Sequence, residues 1–309
     1  MLYFIVNPGA STGRGRLRWQ AVQRQLQEAG TEYRVFMTGR DGTAREIAAR
    51  LTGDGRRKGN EPVTLVALGG DGTVNEILSG IQRLSGVTLG YIPAASGGDL
   101  AKALRISADP AAALERILRP RDHIEMDVGR IETESGVWRF AVSCGIGFDA
   151  AVCHEALHSS LKLRLNKLGL GKLTYGLIAV KQLWKLPRTD ATLILDDTRR
   201  IRISSFIFCT VMNNRYEGGG FTFCPDAENN DGILDLCAAG NINKWRVFFL
   251  LPTALFGRHT RFAGIVTKKA RKIVIRADIP LAIHADGESC GVWRELTAAL
   301  EPERIRIIV

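Results

Sequence analysis

Apolar positions in the first ~120 residues follow two alternating rhythms. Short continuous runs, LYFIV, TEYRVFM, VTLVAL and VTLGYIP, read as buried strands. Between them, GRLRWQAVQRQLQEAG, GTAREIAARL and TVNEILSGIQRL repeat apolar residues at helical spacing, and Gly30 stands where the first helix should end. DLAKALRI and DPAAALERIL follow as short helices, the second with Asp109 at the cap and Pro110 at its first position. Strand-helix alternation of this kind predicts a parallel sheet covered by helices.

Past Pro120 the rhythm changes to closely spaced strands: HIEMDVGRIE, GVWRFAVSCGIGF, ATLILDD, RRIRISSFIFCTVMN, GILDLCAA, KIVIRA and LAIHADGE. They predict a largely antiparallel, β-sandwich-like second domain with helical inserts near 149–186 and 242–257. The expected division is 1–122 and 123–302, with the last strand, 303–309, free to join either domain.

The chain of 309 residues is long enough for two cores, and its composition is that of an ordinary globular protein. A net charge of +10 draws it to polyanions: nucleic acid, anionic lipid headgroups or a phosphorylated cofactor. MLYFIVNPG is too short for a signal sequence, and no apolar run reaches the ~18 residues of a membrane span. The six cysteines show no C-x-x-C spacing, which suggests buried thiols in a reducing cytoplasm.

Three small-residue loops follow predicted strands: NPGASTGRGR (7–16), GGDGT (69–73) and PAASGGDLA (93–101). Glycine at a strand-to-helix junction lets backbone N–H groups approach a phosphate, and the helix dipole favours its charge. Arg14 and Arg16 suit a triphosphate tail. Two other motifs lead elsewhere. HEALH (154–158) fits the zincin helix pattern, but Leu161 and Arg164 stand where its glycine and third histidine would be. Between Ala156 and Thr189 there are seven Lys/Arg and no acid, interleaved with leucines, Tyr175 and Trp184, which suits an anionic membrane surface. KWRVFFLLPTALFGRH (244–259) reads instead as core or as the wall of a lipid pocket.

In this order and spacing, NPGASTGRG, GGDGTVNEI and PAASGGDLAKAL resemble the diacylglycerol kinase catalytic family, and more closely its stand-alone bacterial lipid kinases. NNRYEGGGFTFCPDAENNDGILDL (213–236) and ADGE (285–288) are similar to the family's later motifs, so the resemblance covers nearly the whole chain. It implies a fold like that of NAD kinase and diacylglycerol kinase, and ATP contacts from Asn7, Thr38, Gly69, Gly70, Asp71, Gly72, Thr73, Val74, Asn75 and Ser96. It further implies that Asp71 organises Mg²⁺ at the phosphates and that Glu288 is the base for a lipid hydroxyl. A structural Mg²⁺ is implied at Asp231 with the carbonyls of Glu228 and Ile233. The expected substrate is a neutral lipid, diacylglycerol first, met at the inner face of the membrane by a cytoplasmic, peripheral enzyme. A homodimer is compatible with this reading, and no nucleic acid is expected. The alternatives are a kinase for a sphingoid base, phosphatidylglycerol or NAD, and a non-catalytic protein that binds anionic lipid. The third loop departs from the family pattern: Ala95 replaces a glycine, Gly98 replaces an asparagine, and Ser96 keeps the hydroxyl.

Overall fold

The computed structural model describes residues 1–53, 62–94, 98–158 and 171–309. They form two compact units, one of 1–128, 229–231 and 301–309, the other of 129–228 and 232–300.

In the first unit the strands are β1 (Leu2–Val6), β2 (Tyr33–Met37), β3 (Val63–Gly69), β4 (Val87–Pro93), β5 (His123–Met126) and β16 (Ile305–Ile308). The sheet runs β2-β1-β3-β4-β16-β5, parallel except where β5 pairs antiparallel with β16. The helices are α1 (Ala10–Glu28), α2 (Ala44–Thr52), α3 (Asp71–Gly80), α4 (Asp99–Ala103) and α5 (Pro110–Leu118). Trp19, Val22 and Leu26 of α1 pack with Ala113, Leu114 and Ile117 of α5 on Phe4, Val6, Val66 and Leu68. Leu65 and Ala67 alternate to the opposite face, where α2 and α3 lie together with buried Ile47, Leu51, Ile77 and Leu78. Thr43 and Glu46 cap α2 reciprocally. Asp109 caps α5 as the sequence indicates.

Two differences from the sequence pattern stand out. α1 starts at Ala10, inside the stretch read as a loop, and its opening turns are irregular because Ser11 (φ 52°) and Gly13 (φ 93°) are left-handed. HIEMDVGRIE is not one strand. It breaks at Asp127, whose N–H donates to the Asn229 carbonyl and whose carboxylate takes Arg304 at 2.7 Å. The half before the break therefore completes the first sheet, together with the last strand of the chain.

Among the described residues, the second unit holds ten antiparallel strands: β6 (Gly129–Thr133), β7 (Gly136–Phe140), β8 (Ser143–Gly147), β9 (Ala191–Leu195), β10 (Arg199–Ile203), β11 (Phe206–Met212), β12 (Leu234–Gly240), β13 (Ile265–Ala270), β14 (Lys272–Ala285) and β15 (Glu288–Leu300). Their path is β13-β12-β11-β8-β14-β15-β6-β7, with β9 and β10 branching from β14. β14 makes the sandwich. Its first half pairs with β9 and its last three residues pair with β8, with a register shift between them. Its core gathers Ile146, Leu193, Phe206, Val211, Ile275, Ile283 and Leu296. Among the described residues, the helices of this unit are α6 (Phe148–His158), α7 (Gly171–Lys185) and α8 (Lys244–Ala254).

Candidate active site

The β2-β1-β3-β4 order reverses direction between β1 and β3, the switch point at which open α/β sheets bind ligands beyond the carboxyl ends of their strands. Asn7 leaves β1 there. Its N–H donates to the Leu68 carbonyl at 2.9 Å and its side-chain amide donates to Thr73 Oγ1 at 3.3 Å. The first and second loops are thus joined directly. The Thr38 N–H donates to the Val6 carbonyl, which places this residue at the end of β2 beside Asn7. Gly69 ends β3, Gly70 caps α3, and Asp71, Gly72 and Thr73 form its first turn. A helix of this length leaves its first N–H groups without helical partners, which is the physical basis of phosphate binding there. Asn75 is buried beside them, while Val74 fills the core, so only its backbone remains for a ligand. Ser96 and Ala95 lie outside the described residues.

Asp71 is held from two sides. The Asp99 N–H donates to Oδ2 at 2.7 Å and the Tyr91 hydroxyl donates to Oδ1 at 3.2 Å. Burial and the neighbouring carboxylate raise the Tyr91 phenol well above its ordinary range, so it stays a donor. Gly98 matters for this contact, since a Cβ there would stand 2.9 Å from Asp71 Oδ1 and 3.2 Å from the Tyr91 hydroxyl. The departure from asparagine therefore opens the space in which Tyr91 reaches Asp71. A carboxylate offers oxygen donors of the kind a hard cation takes. Glu228 and Asp231 are exposed on the turn that leads to β12.

In the second unit the β14–β15 hairpin turns on Asp286 (φ 49°) and Gly287 (φ 83°), a pair of positive φ values suited to an Asp-Gly tight turn. Glu288, the sequence candidate for the base, is the exposed residue after this turn. Asp286 fixes the turn. Its carboxylate accepts the N–H groups of Ala141, Val142 and Ser143 at 2.7, 2.8 and 3.0 Å.

Beneath the turn lies a cluster that sequence spacing does not reveal. His284 Nε2 stands 3.2 Å from Asp149 Oδ2 and 3.3 Å from Glu217 Oε1. Ser143 and Thr210 donate their hydroxyls to Glu217 at 2.7 and 2.9 Å. Register brings these groups together, because Gly145 of β8 pairs with His284 on one side and Thr210 on the other. Gly145 has to be glycine, since a Cβ would sit 2.1 Å from Asp149 Oδ2 and 2.7 Å from His284 Nε2. No sequence spacing ties Asp149 to Glu217 and His284. The usable signals were the GIGFD and HADGE strings at strand ends.

Among the described residues, these are the three His, Cys, Asp or Glu side chains close enough to share a cation. The hydrogen bonds favour a proton instead. The Gly287 N–H donates to His284 Nδ1 at 3.2 Å, so the proton of the neutral ring sits on Nε2 and points at the carboxylates. Burial lifts the Glu217 carboxyl to about 7, aided by the Asp149 charge and opposed by His284 and the two hydroxyls. Burial opposes charge on His284, but Asp149 and Glu217 outweigh it and raise its pKa. Both shifts make the folded state hold a proton more tightly than the unfolded chain. Their stabilisation is therefore full below the unfolded Glu value of 4.5 and is lost as pH rises through about 7. Denaturant unfolding is expected to show stability falling between about pH 5 and 8, and Glu217→Gln should flatten that slope. An unchanged slope in the variant would remove Glu217 as its source.

The zincin reading fails on the described atoms. His154 Nε2 is engaged with the Ile283 carbonyl at 2.7 Å, and its Nδ1 faces Ser289 Oγ. Glu155 is paired with Lys181 and Gln182. The side chain of His158 lies outside the described residues.

Comparison with known proteins agrees with the two-part fold. Residues 1–131 match the family model of the diacylglycerol kinase catalytic domain, and 142–309 match that of the YegS C-terminal NAD kinase beta sandwich-like domain. The chain is 28% identical over 310 residues to "Putative lipid kinase YtlR" of Bacillus subtilis, covering 98% of each chain. It is 26% identical over 301 residues to a diacylglycerol kinase of Mycobacterium tuberculosis, covering 95% of this chain and 91% of the relative. Among solved structures, "a putative diacylglycerol kinase" of Bacillus anthracis superposes with TM-score 0.76 at 22% identity, over 99% of this chain and 96% of the other. An NAD kinase of Archaeoglobus fulgidus in complex with ATP superposes with TM-score 0.53 at 13% identity, over 100% and 94%.

Proposed function

The chain belongs to the lipid kinases built on the diacylglycerol kinase catalytic domain, and from that premise we propose that it transfers the terminal phosphoryl group of ATP to the free hydroxyl of diacylglycerol. The observation that carries this reading is the joining of the β1 and β3 loops at the switch point, with Asn7 on Thr73 and Asp71 held in the same turn of α3. Phosphoryl transfer asks a protein chiefly to position the reactants and to balance developing charge. The N–H groups of the GGDGT turn and the α3 dipole bind the phosphates. Asp71, fixed by Tyr91 and the Asp99 amide, would hold Mg²⁺ through oxygen, and Asp231 with the Glu228 and Ile233 carbonyls would hold a second, structural ion. When bound, Mg²⁺ neutralises phosphate charge.

Glu288 takes the proton of the lipid hydroxyl as that oxygen bonds to the terminal phosphorus, and the bridging oxygen departs with ADP. The Asp286 clamp and the His284–Gly287 hydrogen bond keep the turn that presents Glu288 in one conformation. No helix of the described residues is long and apolar enough to cross a membrane. A charge of +10 supports attraction to an anionic leaflet, where diacylglycerol resides, and a peripheral enzyme at the cytoplasmic face.

The similarity to an NAD kinase keeps a soluble acceptor as the second reading. Labelled ATP offered with diacylglycerol in mixed micelles and, separately, with NAD decides between them. Label is expected in the lipid. Label in NAD alone would overturn the proposal. A panel with ceramide, a sphingoid base and phosphatidylglycerol then fixes the acceptor.

A further inference from the structure

The run from Leu236 to Ala277 contains no acid and nine Lys/Arg, and α8 lies within it. This helix is apolar on two faces but covered on one. Val247 and Ala254 are buried, and Leu250 and Leu251 pack with them on the core of the second unit. Trp245, Phe248, Phe249 and Pro252 recur at helical spacing on the other side and face solvent. Phe256, in the turn after the helix, is 77% exposed, Phe249 is 71% exposed and Trp245 is 60% exposed. The patch continues onto α7, where Trp184 is exposed and meets Trp245 edge to face at 5.0 Å. Lys244 ties the two helices together by donating to the Trp184 and Leu186 carbonyls at 3.1 and 2.9 Å. Lys185, Arg246, Arg258 and Arg261 are exposed on the same two segments.

A helix that is apolar all round is normally buried on all sides, and contiguous exposed aromatics mark an interaction surface. We propose that this aromatic face, from Trp184 through α8 to Phe262, is where the protein docks on an anionic lipid bilayer. Charge selects the occupant. Trp and Phe beside exposed Lys and Arg, on a run of chain without acid, match phosphate headgroups above acyl chains, where amphipathic rings and basic side chains both find their preferred depth. The sequence reading gave the membrane role to 156–189 and assigned 244–259 to the core or a pocket wall. The exposure of the α8 aromatics shifts the main contact to 244–262. The proposal rests on the lipid kinase reading for its purpose but is tested apart from it.

The test is co-sedimentation with vesicles of phosphatidylcholine and phosphatidylglycerol, without diacylglycerol and without ATP. The protein is expected to pellet with vesicles rich in phosphatidylglycerol and to remain in solution with phosphatidylcholine alone. Phe249→Ser with Phe256→Ser is expected to weaken partitioning at least ~10-fold, and Arg258→Gln with Arg261→Gln to do so most at low salt. All four side chains are exposed, so thermal unfolding should match that of the unmodified protein. Vesicle binding unchanged in the Phe pair overturns the proposal. So does a self-associated species that the Phe pair dissolves, with no vesicle binding in the parent chain, because the occupant would then be a second copy. Transfer to a short-chain, water-soluble diacylglycerol separates the two readings. Retained there and lost on vesicles, it supports docking. Vesicle binding with no transfer to any acceptor leaves docking standing and removes the kinase.

Discussion

Glu288→Gln is expected to lower turnover with diacylglycerol at least ~10²-fold, the usual contribution of a positioned general base. The amide keeps the size of the side chain but cannot take the hydroxyl proton. Glu288 is exposed on a turn that Asp286 and Gly287 hold from the backbone, so its replacement should leave thermal unfolding unchanged. The loss should fall on kcat, with KM for ATP close to that of the parent, since the nucleotide loops belong to other strands. Turnover within a few-fold of the parent would remove Glu288 from the chemistry and return attention to a binding role for the protein.

Asp286→Ala carries the largest expected cost in stability. The carboxylate accepts three backbone N–H groups, from Ala141, Val142 and Ser143, all of them buried residues. A lost acceptor costs about 1–3 kcal/mol for each donor left unsatisfied in the interior, with partial relief from entering water. Asp286 also stands at φ 49°, where aspartate is tolerated better than alanine by about 1 kcal/mol. A total of about 3–5 kcal/mol is expected. Asp286→Asn, which keeps one acceptor oxygen and the tolerance of positive φ, should recover part of it. Urea unfolding measures both. A destabilisation below about 1 kcal/mol in the alanine variant would mean that water or backbone movement satisfies these amides. Activity should fall in parallel, because the same turn presents Glu288.

The organisation of the first unit was legible because each local signal agreed with its neighbours. Continuous apolar runs marked the buried parallel strands, Asp109–Pro110 marked a helix start, and glycine marked the strand-to-helix junctions. The first loop was read too long, because its polar residues give no sign that α1 begins at Ala10. The break at Asp127 was hidden for a related reason. Its cause is a bond to Asn229 and an ion pair with Arg304, both far away along the chain.

The sequence by itself determined the fold class, the first two loops, the Asp-Gly-Glu turn and the family, since each is written in contiguous residues. Tertiary structure alone decided three matters. It brought Asp149, Glu217 and His284 together, because cross-strand register joins residues more than sixty positions apart. It explained Gly98, because the space it leaves is filled by Tyr91 from another element. It also turned the aromatic residues of α8 outward. Apolarity drives a side chain out of water, but only the geometry of the packed core fixes which face of a doubly apolar helix it can cover.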